Sequence, residues 1–249
     1  MRARRLAVIL LALACCLGAQ EKKKGKKKRD DGPQPRVVDP GGPGKAPSDA
    51  IVLFNGRDMT GWRTAKGEPG KCVVANGEMA CRTGAGDILT ETTFADAQIH
   101  LEFAVPHMPD QQGQRRGNSG VYLHSCYEVQ ILDSYQNPTY ADGTLGAVYG
   151  FSAPMVNAGR KPEEWQSYDI IFRAPRCDAS GNISQPGRAT VLLNGVLVQD
   201  GVSIDRKGPG CRQQNICQPG PIRLQDHSGF PNAPTTTMKF RNLWLRKLD

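Results

Sequence analysis

The stretch YEVQILDS, residues 127–134, has the alternation of a buried β-strand but carries an unusual second face. At the two-residue period of a strand, Tyr127, Val129 and Ile131 point to one side of a sheet. Glu128 and Gln130 point to the other side, where a carboxylate and an amide are neighbours. The stretch therefore predicts a strand that packs one face into a core and presents chemically active groups on the other.

Segments of the same kind recur along the chain between clusters of Gly, Pro, Asn and Asp, and helical periodicity is nearly absent. Many short strands with hairpin turns predict an all-β fold, a sandwich of two antiparallel sheets of the jelly-roll kind. A Greek-key immunoglobulin-like sandwich is the closest alternative, although such domains usually have about 100 residues. The segments are IVLF (51–54), DILTE (87–91), QIHLEFAV (98–105), SGVYLHS (119–125), YDIIFR (168–173), ATVLLN (189–194), VLVQD (196–200), PIRLQDH (221–227) and TTMKFRNLWLRKL (236–248).

Several of these strands have a polar second face with the composition of a site. Three of the chain's four histidines lie on such faces, and no lysine accompanies them. An ordinary outward face is instead rich in Lys, Glu, Thr and Ser. We therefore predict one functional surface, a groove on a curved sheet, with a merely solvated face as the alternative. The polar residues are His100 and Glu102 in one strand, Asn118, Tyr122 and His124 in a second, Glu128 and Gln130 in a third, and either Gln225 with His227 or Asp226 in a fourth.

Residues 1–19 are typical of a secretory signal peptide. Three arginines precede an apolar run that is too short to span a membrane comfortably and that ends in small residues. We therefore expect export to the periplasm or the cell exterior. Cys15 and Cys16 leave a second interpretation open, in which one of them is acylated and anchors the protein to a lipid bilayer.

The net charge of +8 lies in the N-terminal tail, so it does not indicate a nucleic-acid partner. Residues 1–50 hold 12 of the 32 Lys and Arg residues but only 5 of the 24 Asp and Glu residues. Residues 20–49, which contain KKKGKKKR and a Pro- and Gly-rich stretch, are predicted to be a disordered linker. The linker would tether one catalytic domain, residues 50–249, and its charge could attach the protein to an anionic membrane surface.

Six cysteines remain after the signal peptide, and an even number in an exported protein predicts disulfides. Cys72 and Cys81 flank an Asn-Gly turn signal that could bring their strands together. Cys211 and Cys217 could close a short loop. A zinc site is the rival interpretation, but the chain has no CxxC spacing. The two remaining cysteines are Cys126 and Cys177, and they would pair with each other or stay free.

Eight segments, in a fixed order, carry a resemblance to a known family. They are LFNGRDMTGW (53–62), GNSGVYLH (117–124), YEVQILDS (127–134), LGAVYG with the following proline (145–154), EEWQSYDI (163–170), VLLNGVLV (191–198), GPIRLQDH (220–227) and FRNLWLRKL (240–248). Over residues 50–249 the chain resembles the bacterial 3-keto-disaccharide hydrolase family, whose members are also described as 3-keto-glucoside lyases and 3-keto-2-hydroxyglucal hydratases. It departs from the family at Gln166, where Asn is usual, and at 208–220, which looks like an insertion with its own disulfide.

The resemblance implies a concanavalin A-like jelly roll that acts on a sugar oxidised at carbon 3. The expected substrate is a 3-keto-glucoside or a 3-keto-disaccharide. Its ketone acidifies the proton on carbon 2, so a base can remove this proton and the aglycone at carbon 1 then leaves by elimination. Water added to the resulting enone completes a net hydrolysis. Such a site needs a base near carbon 2, an acid near the glycosidic oxygen and donors toward the carbon-3 oxygen.

We assign the catalytic roles to Glu128, His227 and His124. Glu128 is the expected base, because partial burial between apolar neighbours would raise its pKa. His227 is the expected acid or second base, and would otherwise cap its strand. His124 would hold a hydroxyl or the carbon-3 oxygen. A divalent metal held by these three side chains is an open alternative, and no other cofactor is predicted.

The other polar and aromatic residues of the surface are expected to bind the substrate. Asp133 and Asp226 could instead orient the histidines or close turns, and closing turns is the more common use of Asp at a strand end. The aromatic residues would stack on a sugar ring, although aromatic residues of a sandwich more often lie in the core, where we place Trp244. The predicted binding residues are Trp62, His100, Glu102, Asn118, Gln130, Asp133, Tyr149, Trp165, Gln225 and Asp226.

A carbohydrate-binding module without catalysis is the main alternative function, because function lies in the site and not in the fold. Such a module would use aromatic platforms and amides, but it has no use for paired proton-transfer groups. Glu128 with two histidines on neighbouring strands therefore favours the enzyme.

Overall fold

The computed structural model describes residues 32–42, 44–229 and 234–248. Residues 38–249 form one compact unit, and residues 1–37 are assigned to another, of which residues 32–37 are described and are exposed. The predicted signal peptide lies outside the described residues. In the described part of the chain, regular structure consists of strands and two single-turn 3-10 helices, Gly113–Arg115 and Ala141–Gly143.

Two antiparallel sheets and a small ribbon contain all the strands of the described residues. The strands are β1 (Ile51–Phe54), β2 (Trp62–Thr64), β3 (Val73–Ala75), β4 (Glu78–Arg82), β5 (Ile88–Phe94), β6 (Ala97–Ala104), β7 (Ser119–Leu123), β8 (Tyr127–Ile131), β9 (Gln166–Arg173), β10 (Arg176–Cys177), β11 (Ile183–Gln185), β12 (Gly187–Leu193), β13 (Val196–Ile204), β14 (Gly220–Leu224) and β15 (Thr237–Lys247). The eight-stranded sheet has the order β13-β12-β9-β6-β15-β4-β3, with β1 beside β15, and the five-stranded sheet has the order β2-β5-β14-β7-β8. This architecture confirms the predicted jelly-roll sandwich.

The hydrophobic core lies between the inner faces of the two sheets. In β6, Ile99, Leu101 and Phe103 are buried, whereas the residues between them are partly exposed. From the opposite sheet, Val129 and Ile131 of β8 enter the same core. Removal of these apolar side chains from water is the main force that holds the two layers together.

A row of three side chains crosses the outer face of the five-stranded sheet. In the hairpin of β7 and β8, Tyr122 lies directly opposite Glu128. On the other side of β7, Arg223 of β14 lies opposite Tyr122. Side chains at directly opposite positions of neighbouring strands are in contact range. The pairing therefore brings a phenol, a carboxylate and a guanidinium together.

The described residues contain three disulfides, and these correct the predicted pairing. Cys72–Cys81 is formed as expected, with a sequence separation of 9. The other two bonds join distant parts of the chain, so the expected Cys211–Cys217 loop is wrong, and the loop at 208–220 has no disulfide of its own. Three disulfides are typical of proteins that reside outside the cytoplasm. The long-range pairs are Cys126–Cys211 and Cys177–Cys217.

The start of the folded unit overlaps the predicted linker. Asp49 receives hydrogen bonds of 2.7 and 2.8 Å from the guanidinium of Arg246 in β15. The domain boundary at residue 50 and the tether stay predictions. Among the described residues, no helix has the length and hydrophobicity that crossing a membrane requires.

Candidate functional site

Glu128 lies in the middle of β8 on the outer face of the five-stranded sheet, yet its side chain is buried, with 4% exposed. Its Oε2 atom accepts a hydrogen bond of 2.7 Å from the hydroxyl of Tyr122. Behind it, Gly120 has no side chain, and a Cβ atom there would lie 2.1 Å from Oε1 of Glu128. The strand alternation thus points the carboxyl outward, and the glycine makes the room in which it lies.

Burial raises the pKa of Glu128 to about 7. The low-polarity surroundings disfavour the charged carboxylate, and the nearby Asp87 adds to this effect. The hydrogen bond from Tyr122 and the charge of Arg223 act in the opposite direction. A carboxyl with a pKa near neutrality can both accept and release a proton, which is the property of a general acid–base catalyst.

Arg223 and Asp87 form a buried ion pair beside this carboxyl, with Nη1 of Arg223 and Oδ2 of Asp87 2.7 Å apart. The guanidinium carbon lies 3.5 Å from the centroid of the Tyr122 ring, and Nη2 donates to the carbonyl of Gly210 at 2.8 Å. Asp87 also pairs with the Arg212 side chain, whose Nη2 lies 2.9 Å from Oδ2, and its Oδ1 accepts a hydrogen bond of 2.9 Å from the backbone of Asp226. The network fixes the phenol that contacts Glu128.

A cavity of about 180 Å³ lies over Glu128. Three amide side chains in its lining have a carbonyl oxygen without a hydrogen-bond partner among the described residues. Such unsatisfied acceptors are costly in a folded protein and are satisfied when a ligand or water donates to them. A polyhydroxylated ligand is the kind of molecule that can supply several donors at once. The three acceptors are Oδ1 of Asn118, Oε1 of Gln130 and Oε1 of Gln225.

Gln114, on the single-turn helix Gly113–Arg115, holds two of these amides in place. Its Oε1 accepts hydrogen bonds of 3.1 Å from the amide nitrogens of Asn118 and Gln130. Its own nitrogen donates to the carbonyl of Gly143 at 2.8 Å. Because their nitrogens are engaged in this way, the amides have only their oxygens left to receive a ligand.

Two tyrosines and a histidine complete the lining of the cavity. The hydroxyls of Tyr140 and Tyr149 are 2.7 Å apart, so one donates to the other and the second hydroxyl keeps its proton for another acceptor. His227 lies at the same cavity, and burial lowers the pKa of its imidazole. The ring is therefore neutral at neutral pH, a form that accepts a proton through one nitrogen.

The structure thus brings together six of the thirteen residues that the sequence analysis assigned to the site. Their roles stay predictions, but their convergence on one cavity is a property of the fold. The six are Asn118, Glu128, Gln130, Tyr149, Gln225 and His227.

His124 does not lie in this cavity, which corrects the expectation that it would face Glu128. Its backbone, with that of Ser125, adopts the left-handed conformation, with φ values of 53° and 54°, in the turn after β7. The strand alternation ends there, and the ring turns into the core between Phe94 and Phe172, each 4.9 Å away. Burial lowers the pKa of His124.

His100, Glu102 and Trp165 lie on the outer side of the eight-stranded sheet, so their predicted place in the shared groove is also wrong. His100 contacts Asp169, with Nδ1 and Oδ1 2.7 Å apart. Arg241 binds Glu102 at 2.6 Å and lies 4.0 Å from the Trp165 ring. The polar faces were recognised correctly, but β6 belongs to the other sheet.

The remaining predicted residues serve the framework. Trp62 is buried in the core, and its indole nitrogen donates to the carbonyl of Leu53 at 2.8 Å. Asp133 pairs with Arg116 and closes a turn by accepting from the backbone of Tyr135 at 3.0 Å, the alternative role considered for it. Trp62 and Asp133 are therefore not placed to contact a ligand over Glu128, and the same holds for Asp226.

Asp226 and Trp244 also serve the framework, and Trp244 is buried as expected. The carboxylate of Asp226 accepts hydrogen bonds from the backbone of Gly84 and Gly86 at 2.9 and 2.8 Å. Trp244 is buried, with 7% exposed, but outside the main core: it stacks on His100 on the outer side of β15.

The three side chains considered for a divalent metal are not assembled. His124 lies in the core, apart from the cavity of Glu128 and His227. Nor do the described residues contain any group of three or more His, Cys, Asp or Glu side chains placed to hold an ion.

Several residues of the site were missed by the sequence analysis. Arg223 could have been found, because it has the same strand parity as Gln225 and His227. Gln114 lies in a single-turn helix, and Tyr140 and Asp87 lie outside the strands, where no periodicity reveals the direction of a side chain.

Comparisons with known proteins agree with this fold and identify a family. Residues 49–246 match the family described as the 3-keto-alpha-glucoside-1,2-lyase-like domain. A crystal structure from Parabacteroides distasonis, provisionally named a glycosyl hydrolase, is 41% identical with a TM-score of 0.79, and the match covers 87% of this chain and 93% of that chain. A second structure from the same organism, with the same provisional name, is 20% identical with a TM-score of 0.57 over 81% and 94% of the chains, which supports the fold alone. None of the curated proteins matches the chain.

Proposed function

This chain belongs to the 3-keto-alpha-glucoside-1,2-lyase-like family of carbohydrate-active proteins, and from this premise we propose that it cleaves glycosides whose glucose ring is oxidised at carbon 3. The observation that carries the proposal is the buried carboxyl of Glu128, whose pKa of about 7 suits proton abstraction at neutral pH. A binding module without catalysis has no need for such a carboxyl. The unsatisfied amide oxygens around it support a sugar as the ligand.

The first step is removal of the proton on carbon 2 by ionised Glu128. The electron pair of the broken C–H bond forms a double bond between carbon 2 and carbon 3. The product is an enediolate, in which negative charge develops on the carbon-3 oxygen. The free hydroxyl proton of the Tyr140–Tyr149 pair is the donor that we assign to this oxygen. A donor that is in place beforehand stabilises the charge without reorganisation during the reaction.

In the second step the enediolate collapses and the bond from carbon 1 to the glycosidic oxygen breaks. The oxygen leaves with the electron pair and takes up the proton that Glu128 removed from carbon 2, which restores the carboxylate. The products are an enone and the free aglycone, so atoms and charge balance. A pKa of about 7 for Glu128 suits both the uptake of the proton from carbon 2 and its release to the glycosidic oxygen, because the carboxyl holds the proton only between these two steps.

Hydration of the enone would complete a net hydrolysis. His227 is the base that we assign to this step, because burial keeps its imidazole neutral and able to take a proton from water. Addition of that water across the double bond regenerates a saturated 3-keto sugar. The three disulfides support a protein that works outside the cytoplasm, and we propose that the basic N-terminal segment tethers it there.

The proposal is tested with a 3-keto-glucoside and the matching unoxidised glucoside. In deuterated water, we expect exchange at carbon 2 and release of the aglycone from the oxidised compound, and neither event from the unoxidised one. Glu128→Gln should lower both by about 10²- to 10⁴-fold, the usual contribution of a general base. The matched control is Glu102→Gln, on the other sheet, which should keep activity. Turnover of both glucosides at similar rates, or full activity of Glu128→Gln, would refute the proposal.

A further inference from the structure

A second cavity, of about 520 Å³, adjoins the cavity over Glu128. The two share three lining residues, Gln114, Gln225 and His227, so they are immediate neighbours. The cavity over Glu128, at about 180 Å³, is much the smaller. The larger cavity is therefore a place into which the rest of a glycoside can extend when its reacting ring lies against Glu128.

Two arginines, Arg115 and Arg212, line the larger cavity. Arg212 is fixed in place by one contact of its backbone and one contact of its side chain. Its backbone nitrogen donates to the carbonyl of Ser125 at 2.9 Å, and Nη2 lies 2.9 Å from Oδ2 of Asp87. The preceding residue, Cys211, is bonded to Cys126, which lies in the turn between β7 and β8. With 55% of its side chain exposed, Arg212 keeps further N–H donors for a ligand.

The acidic groups of this cavity are already bound by the protein. Asp87 accepts hydrogen bonds from Arg223 and the Asp226 backbone, and it forms an ion pair with Arg212. The carboxylate of Asp226 accepts from two backbone N–H groups and from the hydroxyl of Ser228. The carboxylates thus have their donors, whereas a guanidinium can bind a planar anion through two parallel hydrogen bonds.

We propose that the larger cavity binds the aglycone and that Arg212 makes the site prefer aglycones carrying a carboxylate. The inference rests on the proposed function, because only a glycoside that is cleaved has an aglycone as its leaving part. The binding preference itself can be measured without turnover. A single arginine on a partly exposed wall is expected to favour the anion about fivefold. Salt weakens such a contact, because ions screen exposed charges.

The test is calorimetric binding of two unoxidised glucosides, phenyl glucoside and 4-carboxyphenyl glucoside, to the full-length protein. The wild type should bind the carboxylate about fivefold more tightly, and 0.5 M NaCl should reduce this ratio. Arg212→Gln should bring the ratio close to one, and Arg212→Lys should keep part of it. The matched control is Arg188→Gln, an exposed arginine of β12, which should leave the ratio unchanged.

Because the ratio of two ligands is compared, any loss of affinity that both share does not affect the result. A wild-type ratio near one, or an unchanged ratio in Arg212→Gln, overturns the inference even if the 3-keto-glucoside is cleaved. Loss of the preference in Arg212→Gln supports it even if no 3-keto-glucoside is cleaved, and in that case the proposed function alone fails.

Discussion

The hydroxyl of Tyr122 donates a hydrogen bond of 2.7 Å to Oε2 of Glu128, across the hairpin of β7 and β8. Burial raises the pKa of the carboxyl, and this hydrogen bond lowers it by stabilising the charged form. The pKa of about 7 is the balance between the two effects. In the proposed reaction, Tyr122 therefore acts through Glu128, as a positioning residue that sets the pH at which the base is ionised.

Tyr122→Phe should move the pH profile to higher pH. The base must be ionised, so kcat/KM of the wild type should rise as the pH increases through about 7. Without the hydrogen bond the pKa of Glu128 rises, and the midpoint should shift upward by about one pH unit. The control is Tyr135→Phe at a more exposed tyrosine outside the cavity. A lower rate with an unmoved midpoint would mean that Tyr122 has a purely structural role.

Gly120→Ala should displace the carboxyl of Glu128. The added methyl group would lie 2.1 Å from Oε1 and 2.8 Å from Cδ of Glu128, closer than atoms can approach. A shift of about 1 Å in a catalytic group can cost about 100-fold in rate, so we expect a loss of that order in kcat. Gly42→Ala is the control, because a Cβ atom there meets no atom within 4 Å. Full activity in Gly120→Ala would show that Glu128 need not occupy this place.

The sequence predicted the strands and their polar faces well, because side-chain direction in a strand follows from its two-residue period. The period placed Glu128, Gln130 and Tyr122 on one face, and the structure agrees. It could not show which sheet a strand joins, since that depends on pairing with distant segments. His100 and Glu102 were therefore assigned to the wrong surface: β6 pairs with β9 and β15.

Turns and long-range bonds were the other limit of the sequence. His124 has the parity of Tyr122, but the left-handed backbone of the turn reverses its direction. The pairing of Cys126 with Cys211 joins residues 85 positions apart, and only the folded chain brings them together. Short-range patterns contain no information of this kind.

Glu128→Gln should stabilise the protein at high pH. The folded pKa is raised from 4.5 to about 7, so the wild-type carboxyl costs no stability below pH 4.5 and destabilises the fold as the pH rises through 7. The neutral amide avoids this cost, and the gain should reach about 3 kcal/mol above pH 8. Urea unfolding at pH 4.5 and pH 8.5 measures it. Glu102→Gln should show the opposite sign at neutral pH, because the pKa of Glu102 is lowered. An equal effect of Glu128→Gln at both pH values would contradict the raised pKa.

His124→Leu should reduce the sensitivity of the fold to acid. Burial lowers the folded pKa of this ring, so the unfolded chain binds a proton more readily, and stability falls as the pH decreases below 6.5. The fall should become smaller in His124→Leu but not vanish, because the pKa of His227 is lowered as well. His107→Leu, at an exposed histidine, is the control and should follow the wild type. The readout is the free energy of unfolding between pH 7.5 and 5; an unchanged slope in His124→Leu would argue against a buried neutral ring.

Removal of the Cys126–Cys211 bond should affect both stability and activity. It closes a segment of 85 residues, whereas Cys72–Cys81 closes one of 9, so the chain-entropy model predicts losses of about 4–5 and about 2–3 kcal/mol for the two double Cys→Ser variants. Gly210, the residue before Cys211, lines the cavity of Glu128. The variant that lacks Cys126–Cys211 should therefore also lose turnover, whereas the variant that lacks Cys72–Cys81 should not. Peptide mapping of the oxidised protein checks the pairing first. Equal losses of activity in the two variants would mean that this loop does not shape the site.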